Sequence, residues 1–282
     1  MKKVLALVLA AIMLFSFAAC GGSGEKTQAV KVIDINLTEE EYAFGVDKAQ
    51  PELLTQVNDF IAKIQKDGTF DEICNKYFGD GTPTPVESAK LDESKDQLVV
   101  ATNAAFEPFE YTAGDKYLGI DMEIAALLAK ELGKELVISN MDFDAVCLSV
   151  GQHKADIAMA GLTVKEDRKE HVNFSTPYYQ ASQKIIVKGD DTTFDACTDA
   201  ASVEKILNGF DKSVKIGVQN GTTGNFYVKG DAEWGFDGFK TECVGYKNGA
   251  LAVQDLVNGN INYVIIDSAP AACITEAINA VA

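Results

Sequence analysis

Residues 41–79 read EYAFGVDKAQPELLTQVNDFIAKIQKDGTFDEICNKYFG, and how this stretch divides into elements governs how the rest of the chain must be arranged. YAFGV is an apolar, extended run. Pro51 and Glu52 then open a helix, because a first helical position needs no amide donor and an acidic side chain suits the positive end of the helix dipole. Asp67-Gly68 breaks that helix, and a shorter aromatic helix follows until Gly79 stops it. Strand, helix and helix thus precede the main body, with residues 29–37 ahead of them as one further strand.

The first residues set the compartment. Lys2 and Lys3 precede an apolar run at residues 4–17, which ends in small residues and Cys20. A run this short, with these flanks, predicts a signal peptide over residues 1–19, since a spanning helix needs about 20 apolar residues. Phe17-Ala-Ala-Cys20 resembles a lipobox, with Phe17 in place of the commoner leucine, so Cys20 is expected to be diacylated. Ordinary secretion is the alternative. Two acyl chains anchor firmly, at roughly 0.8 kcal/mol per buried methylene, and residues 20–28 would be a flexible tether.

Charge and cysteines exclude several classes. The chain has 25 basic residues, Lys2 and Lys3 among them, against 42 acidic, so its surface repels phosphate backbones and nucleic acid is not an expected partner. Beyond Cys20 the cysteines stand at 74, 147, 197, 243 and 273, with no CxxC pair and no Cys/His cluster. With only His153 and His171 besides, no metal and no cofactor is expected, and small buried hydrophobes are the favoured reading of most cysteines.

From residue 97 onward strand and helix signals alternate, the pattern of a mainly parallel sheet covered by helices. Strands are expected at residues 97–101, 135–139, 156–160, 184–187, 214–218 and 263–267, with helices at 121–133 and 249–257 among those between them. Residues 80–96, DGTPTPVESAKLDESKD, form a polar linker by composition. Residues 189–201, rich in Asp and Thr, are an expected excursion.

Four motifs carry the chemistry. NAAFEPFEY (103–111) follows a strand and puts Phe106 in a loop where open α/β sheets bind ligands; MDFDA (141–145) repeats the pattern with Phe143. Each alone is as readily core packing. MAGLTVKEDR (159–168) ends a small apolar strand at Ala160-Gly161, then supplies Thr163 and, at a helix start, Arg168, whose planar fork can hold a carboxylate through two charge-assisted bonds. On spacing alone a solvated surface arginine is the better reading. VQNGTTG (218–224) is strand, glycine turn and helix start, an anion-binding arrangement that suits a small carboxylate better than a polyphosphate. YVIID ends in Asp267, which must either face water or meet a cation.

Taken together and in this order, NAAFEPFEY, MAGLTVKEDR, VQNGTTG and VIID resemble the solute-binding proteins that feed polar amino acids to ABC importers. The resemblance covers nearly everything from residue 97 to 282, and residues 41–79 resemble that family's closing segment, here standing near the beginning. It implies a circularly permuted, two-lobe α/β fold of the type II periplasmic-binding-protein kind. By this similarity Arg168 would clamp the ligand α-carboxylate, helped by Thr163 and the amide of Thr223. Asp267 and the carbonyl of Gly161 would take the α-ammonium, Phe106 and Phe143 would sandwich the side chain, and Gln219 and Asn103 fall where selectivity varies. All of these lie outside residues 41–79.

The implied division gives lobe two residues 29–37 with 189–282, and lobe one residues 48–79 with 97–182. Hinge strands fall at 41–46 and 183–188, within a first segment of 29–47. The 17-residue linker reaches at most ~56 Å and about 23 Å as a flexible coil, ample for a body of radius of gyration near ~18 Å, so a monomer is expected over a domain-swapped dimer. The expected function is that of an extracytoplasmic lipoprotein receptor that closes on a free polar amino acid and presents it to a permease and its ATPase. The rival class is an enzyme on the same fold, dehydratase-like, with Glu107 or Glu110 as a general acid. No GxSxG, HExxH or Cys/His couple supports it, and no catalytic residue is assigned. Asn103 favours glutamine, cystine or another polar ligand, whereas Glu107 and Glu110 favour arginine or lysine; the residues leave both open.

Overall fold

Runs of valine and isoleucine alternating with amphipathic helices build two five-stranded sheets, each with helices packed against it. The computed structural model describes residues 28–282; the expected signal peptide, Cys20 and nearly all of the expected tether lie outside the described residues. The chain starts in one sheet as β1 (Val30–Ile33), passes through β2 (Glu40–Tyr42) and enters the other as β3 (Gly45–Asp47). Helices α1 (Pro51–Asp67) and α2 (Thr69–Phe78) follow. Then come β4 (Gln97–Thr102), β5 (Ala105–Phe106), β6 (Glu110–Ala113), β7 (Lys116–Leu118), α3 (Ile120–Leu132) and β8 (Glu135–Asn140). A 3-10 turn at Phe143–Ala145, α4 (Val146–Gly151), β9 (Ile157–Ala158), α5 (Glu166–Lys169) and β10 (Val172–Phe174) complete this lobe.

Strand β11 (Tyr179–Ala181) leads back to the sheet that holds β1, that of the second lobe. That lobe continues with β12 (Gln183–Lys188), α6 (Ala200–Leu207), β13 (Lys215–Gln219), α7 (Thr223–Lys229) and β14 (Glu242–Tyr246), and ends with α8 (Gly249–Asn258), β15 (Tyr263–Asp267) and α9 (Ser268–Val281).

The two sheets repeat one design. In the first lobe the order is β10-β3-β9-β4-β8, with β4 parallel to both neighbours and β3 antiparallel to both of its own. In the second it is β1-β12-β15-β13-β14, with β13 parallel to both neighbours and β12 antiparallel to both of its own. Each therefore runs its parallel strands toward the cleft and adds an antiparallel strand beside them. This is the two-lobe α/β architecture of type II periplasmic-binding proteins. Between the sheets, β2 pairs antiparallel with β11, Tyr42 opposite Tyr179 and Glu40 opposite Ala181.

That pairing corrects the expected hinges. Gln183–Lys188 lies wholly inside the second lobe's sheet, bonded on both edges to β1 and β15, because its apolar side chains are buried on both faces. The strand beside β2 is Tyr179–Ala181, a few residues earlier, and residues 45–47 belong to the first lobe's sheet. Aromatic packing pins this crossing: Phe44 stacks on Tyr178 at 4.4 Å, and Tyr42 meets Phe109 edge-on at 5.1 Å.

Helix α1 buries Leu53, Val57, Phe60, Ile61 and Ile64, spaced at three and four residues so that one stripe faces the first lobe. At roughly 1.5–3 kcal/mol for each such side chain, this stripe accounts for much of the helix's attachment. Gly68, in the left-handed region, ends α1 and turns the chain into α2.

Residues 80–96 are corrected from flexible coil to a fitted strap. Val86 is buried and exchanges two backbone hydrogen bonds with Tyr117, the amide of Ala89 donates to the carbonyl of Leu136, and the amide of Ile138 donates to the hydroxyl of Ser88. At the other end of the described chain, the amide of Asn279 donates to the Val30 carbonyl at 2.9 Å and its oxygen accepts from the Val30 amide at 3.2 Å. The last helix thus lies against the first strand. In residues 189–201, Phe194 is buried edge-on against Tyr263. Among the described residues, Cys74, Cys147, Cys197, Cys243 and Cys273 form no disulfide.

Candidate functional site

Strands β4, β9, β13 and β15 end at the cleft between the lobes, and each leads there into a loop or helix start bearing a polar side chain. Phe106, Phe143, Gly161, Thr163, Arg168, Gln219, Thr223 and Asp267, with Thr222 added, surround one enclosed space. Its free volume is about 10 Å³, room for one water and nothing larger while the lobes stand as they do here. Asn103 stands one step outside, accepting from the Gln219 amide at 3.0 Å while its own amide donates to the Met141 carbonyl. A wider hollow of about 740 Å³ lies beside the crossing strands, lined by Glu39, Glu41, Glu204, Tyr227 and Trp234, and shares Thr163 with the lining of this space.

Arg168 is buried on the short helix α5. Its Nη1 donates to the carbonyl of Thr163 at 2.7 Å, its Nη2 to the carbonyl of Gly221 at 3.0 Å across the cleft, and the Phe143 ring lies 5.2 Å from Cζ. It has no carboxylate partner among the described residues. Backbone shape makes this approach possible. Gly221 has φ +71, and a Cβ there would meet that of Asp144 at 3.2 Å. Gly161 has φ +53, and a Cβ there would come within 2.9 Å of the Phe106 ring.

Asp267 neither faces water nor meets a cation in this arrangement. Buried at the end of β15, it accepts a short hydrogen bond from the Tyr42 hydroxyl. Burial first, and then the Glu40 charge, push its carboxyl up to about 7, against the pull of hydrogen bonds from Tyr42 and Gln183. The Thr163 hydroxyl donates to Glu40 at 2.6 Å and accepts from the Thr223 hydroxyl at 3.1 Å; with its single proton so placed, it can only accept from anything further. Behind Gly161, whose amide donates to Asp121 at 3.0 Å, burial raises the Asp121 carboxyl to about 7 despite that bond and one from Tyr178. Glu110 is wholly buried with both oxygens unpartnered, and burial, then Asp121 and Asp267, push it well above the carboxylate range.

Glu40 and Tyr42 escaped the sequence reading. Neither lines the space, but Tyr42 grips Asp267 and Glu40 holds Thr163 from the crossing strand. A tyrosine directly after three glutamates, at the head of an apolar run, was the available signal.

Comparison with known proteins gives this arrangement a family. The chain is 36% identical over 99 residues to the arginine-binding extracellular protein ArtP of Bacillus subtilis, covering 35% of this chain and 39% of that one. It is 29% identical to the ABC transporter arginine-binding protein 1 of Escherichia coli over 62% of this chain and 64% of that one. The chain thus spans 39% to 64% of the length of these relatives. Among solved structures, an ancestral amino-acid-binding protein described as a precursor of cyclohexadienyl dehydratase superposes with a TM-score of 0.54 at 30% identity, over 74% of this chain and 78% of that one. The sequence model of the bacterial extracellular solute-binding proteins, family 3, matches residues 9–80 and 98–265, and the chain belongs to that family.

Proposed function

We propose that this chain is an extracytoplasmic receptor that closes on a free polar L-amino acid, arginine before others, and delivers it to an ABC permease and its ATPase. The observation that carries the reading is the buried pair lining the same space: Arg168 with no anion among the described residues and Asp267 with no cation. A buried guanidinium held only by carbonyls is poorly compensated, as is a buried carboxyl facing a second carboxylate. The α-carboxylate and α-ammonium of an amino acid supply both missing charges. In this reading Phe106 and Phe143, which line the space, would flank the side chain, with Gly161, Thr163 and Thr223 completing the polar wall.

Arginine is favoured by the names of the relatives; the neutral pair Asn103 and Gln219 favours glutamine or cystine. A thermal-shift screen of the twenty amino acids plus cystine decides between them. A ligand present at 100 times its dissociation constant adds about 2.7 kcal/mol of stability. If none of the twenty-one raises the melting temperature, the receptor reading falls. A dehydratase-type activity is the second reading, favoured by the solved neighbour described as a dehydratase precursor, although the buried Glu110 lies outside the residues that line the space; turnover of a prephenate-like acid would establish it in place of the first.

The same proposal includes anchoring through diacylated Cys20, a monomeric state and a circularly permuted order. Three observations support the permutation. The family match falls into two blocks, α9 ends against β1 through Asn279, and the strap at residues 80–96 joins α2 to β4 along the outside of one lobe. A chain rewired to start near residue 96, with residues 282 and 28 joined by a short glycine-serine link and the strap opened, is expected to fold as a monomer. It should bind its amino acid within about threefold of the parent in calorimetry. Failure to fold, or a swapped dimer by light scattering, would count against the permuted reading. The tether would then hang the receptor from its second lobe.

A further inference from the structure

The loop that carries Thr163 and leads into α5 also sends one lysine across to the other lobe. The Lys165 side chain is only 4% exposed, although no other residue of this helix start but Arg168 is buried. Its Nζ lies 2.8 Å from Asp231, 2.7 Å from Glu233 and 3.3 Å from Asp167, and 4.7 Å above the Phe226 ring. Asp231, Glu233 and Phe226 all belong to the second lobe, on α7 and the turn after it, whereas Lys165 and Asp167 belong to the first. The turn is built to hold these carboxylates. Asp231 and Phe236 exchange two backbone hydrogen bonds, and Asp231 also accepts from the amides of Glu233 and Trp234. The second oxygen of Glu233 accepts from the amide of Glu166, the first residue of the helix bearing Arg168.

We propose that Lys165 is an interlobe latch and a positioning residue: by entering the acidic, aromatic socket of Asp231, Glu233 and Phe226 it holds α5 and Arg168 in the closed geometry and slows release of the bound amino acid. The inference rests on the receptor reading above. The latch touches none of the groups around the enclosed space, so it acts on closure rather than on the ligand. A charge that is buried only when the lobes meet gains two anions, Asp231 and Glu233, and an aromatic face in that state and returns to water when they part. Closure is thereby favoured, and the gain falls on the dissociation rate, where differences in affinity among variants of one site concentrate.

The test compares the parent with Lys165→Met, Lys165→Arg and Asp231→Asn by stopped-flow with the amino acid identified in the screen, and by small-angle scattering without ligand. Lys165→Met is expected to raise the dissociation rate and the Kd about tenfold while the association rate changes less than twofold. Lys165→Arg should restore most of the parent's dissociation rate, and ligand-free Lys165→Met should show a larger radius of gyration than the parent. A dissociation rate and radius of gyration both within error of the parent overturn the latch. If the parent binds no amino acid but Lys165→Met still expands, the receptor reading falls and the latch stands. Should Lys165→Met fail to fold by circular dichroism, Asp231→Asn reads the same contact, with a smaller expected rise in dissociation rate; no rise overturns the latch.

Discussion

Arg168→Ala is expected to weaken amino-acid binding by at least ~3 kcal/mol, about 150-fold in Kd, since each charge-assisted bond to a carboxylate contributes roughly 1.5–3 kcal/mol and the fork makes two. Nothing else near the site can replace it. Lys165 is engaged in its own socket, and the Thr163 hydroxyl gives its proton to Glu40. The fork's aim is set by the carbonyls of Thr163 and Gly221 and by the Phe143 ring, so Arg168→Lys, which keeps charge without a fork, should recover only part of the loss. Stability of the ligand-free chain should move the other way or not at all, because the alanine removes a buried cation that lacks an anion. Calorimetry at one pH checks the first effect and thermal melting the second. Unchanged affinity in Arg168→Ala would remove the arginine from the site.

The elements whose signals are local were legible in the sequence. Pro51, Gly68 and Gly79 bound α1 and α2 where expected, and YVIID is β15 to the residue. What escaped depended on partners far along the chain. QKIIVK carries the same short apolar run whether it crosses between lobes or lies within one, and only β1 and β15 on its two edges decide the matter. In residues 80–96 a composition rich in Pro, Ser, Asp and Glu describes a solvated coil, yet one valine finding a bridge at Tyr117 is enough to lay the strap down. At the site, the motifs that bring Arg168, Thr163, Gln219 and Asp267 together were visible as residue types at strand ends. Their environment was not. Tyr42 lies 225 residues from Asp267, and nothing local to either motif announces that a phenol caps the carboxylate.

Those partners give the second large effect, which depends on pH. Asp267 has its carboxyl raised from 3.8 to about 7, chiefly by burial. A carboxyl raised in the folded state stabilises the fold below its unfolded value, and that contribution is lost as pH rises through the folded value. Asp267 alone accounts for at most ~4 kcal/mol at roughly 1.36 kcal/mol per pH unit, and Asp121 and Glu110 act in the same direction. The ligand-free chain should therefore melt at a higher temperature at pH 5 than at pH 8, and Asp267→Asn should flatten the difference.

Binding runs opposite in sign. An α-ammonium pairs with the ionised form, so taking up the amino acid at pH 5 requires Asp267 to release its proton. Affinity should rise about tenfold per unit between pH 5 and 7 and then level, as linkage demands. Asp267→Asn cannot ionise, so it should lose at least ~3 kcal/mol of affinity at pH 8, less at pH 5, and show a shallower slope between. Asp121, buried behind Gly161, titrates in the same window without lining the enclosed space, and Asp121→Asn separates the two by keeping the wild-type affinity at pH 8. Calorimetry of the three proteins from pH 5 to 8 reads this directly. Wild-type affinity in Asp267→Asn at pH 8 would mean that the ammonium is held elsewhere, with Glu40, the carboxylate on the crossing strand that already contacts Thr163, as the group to replace next.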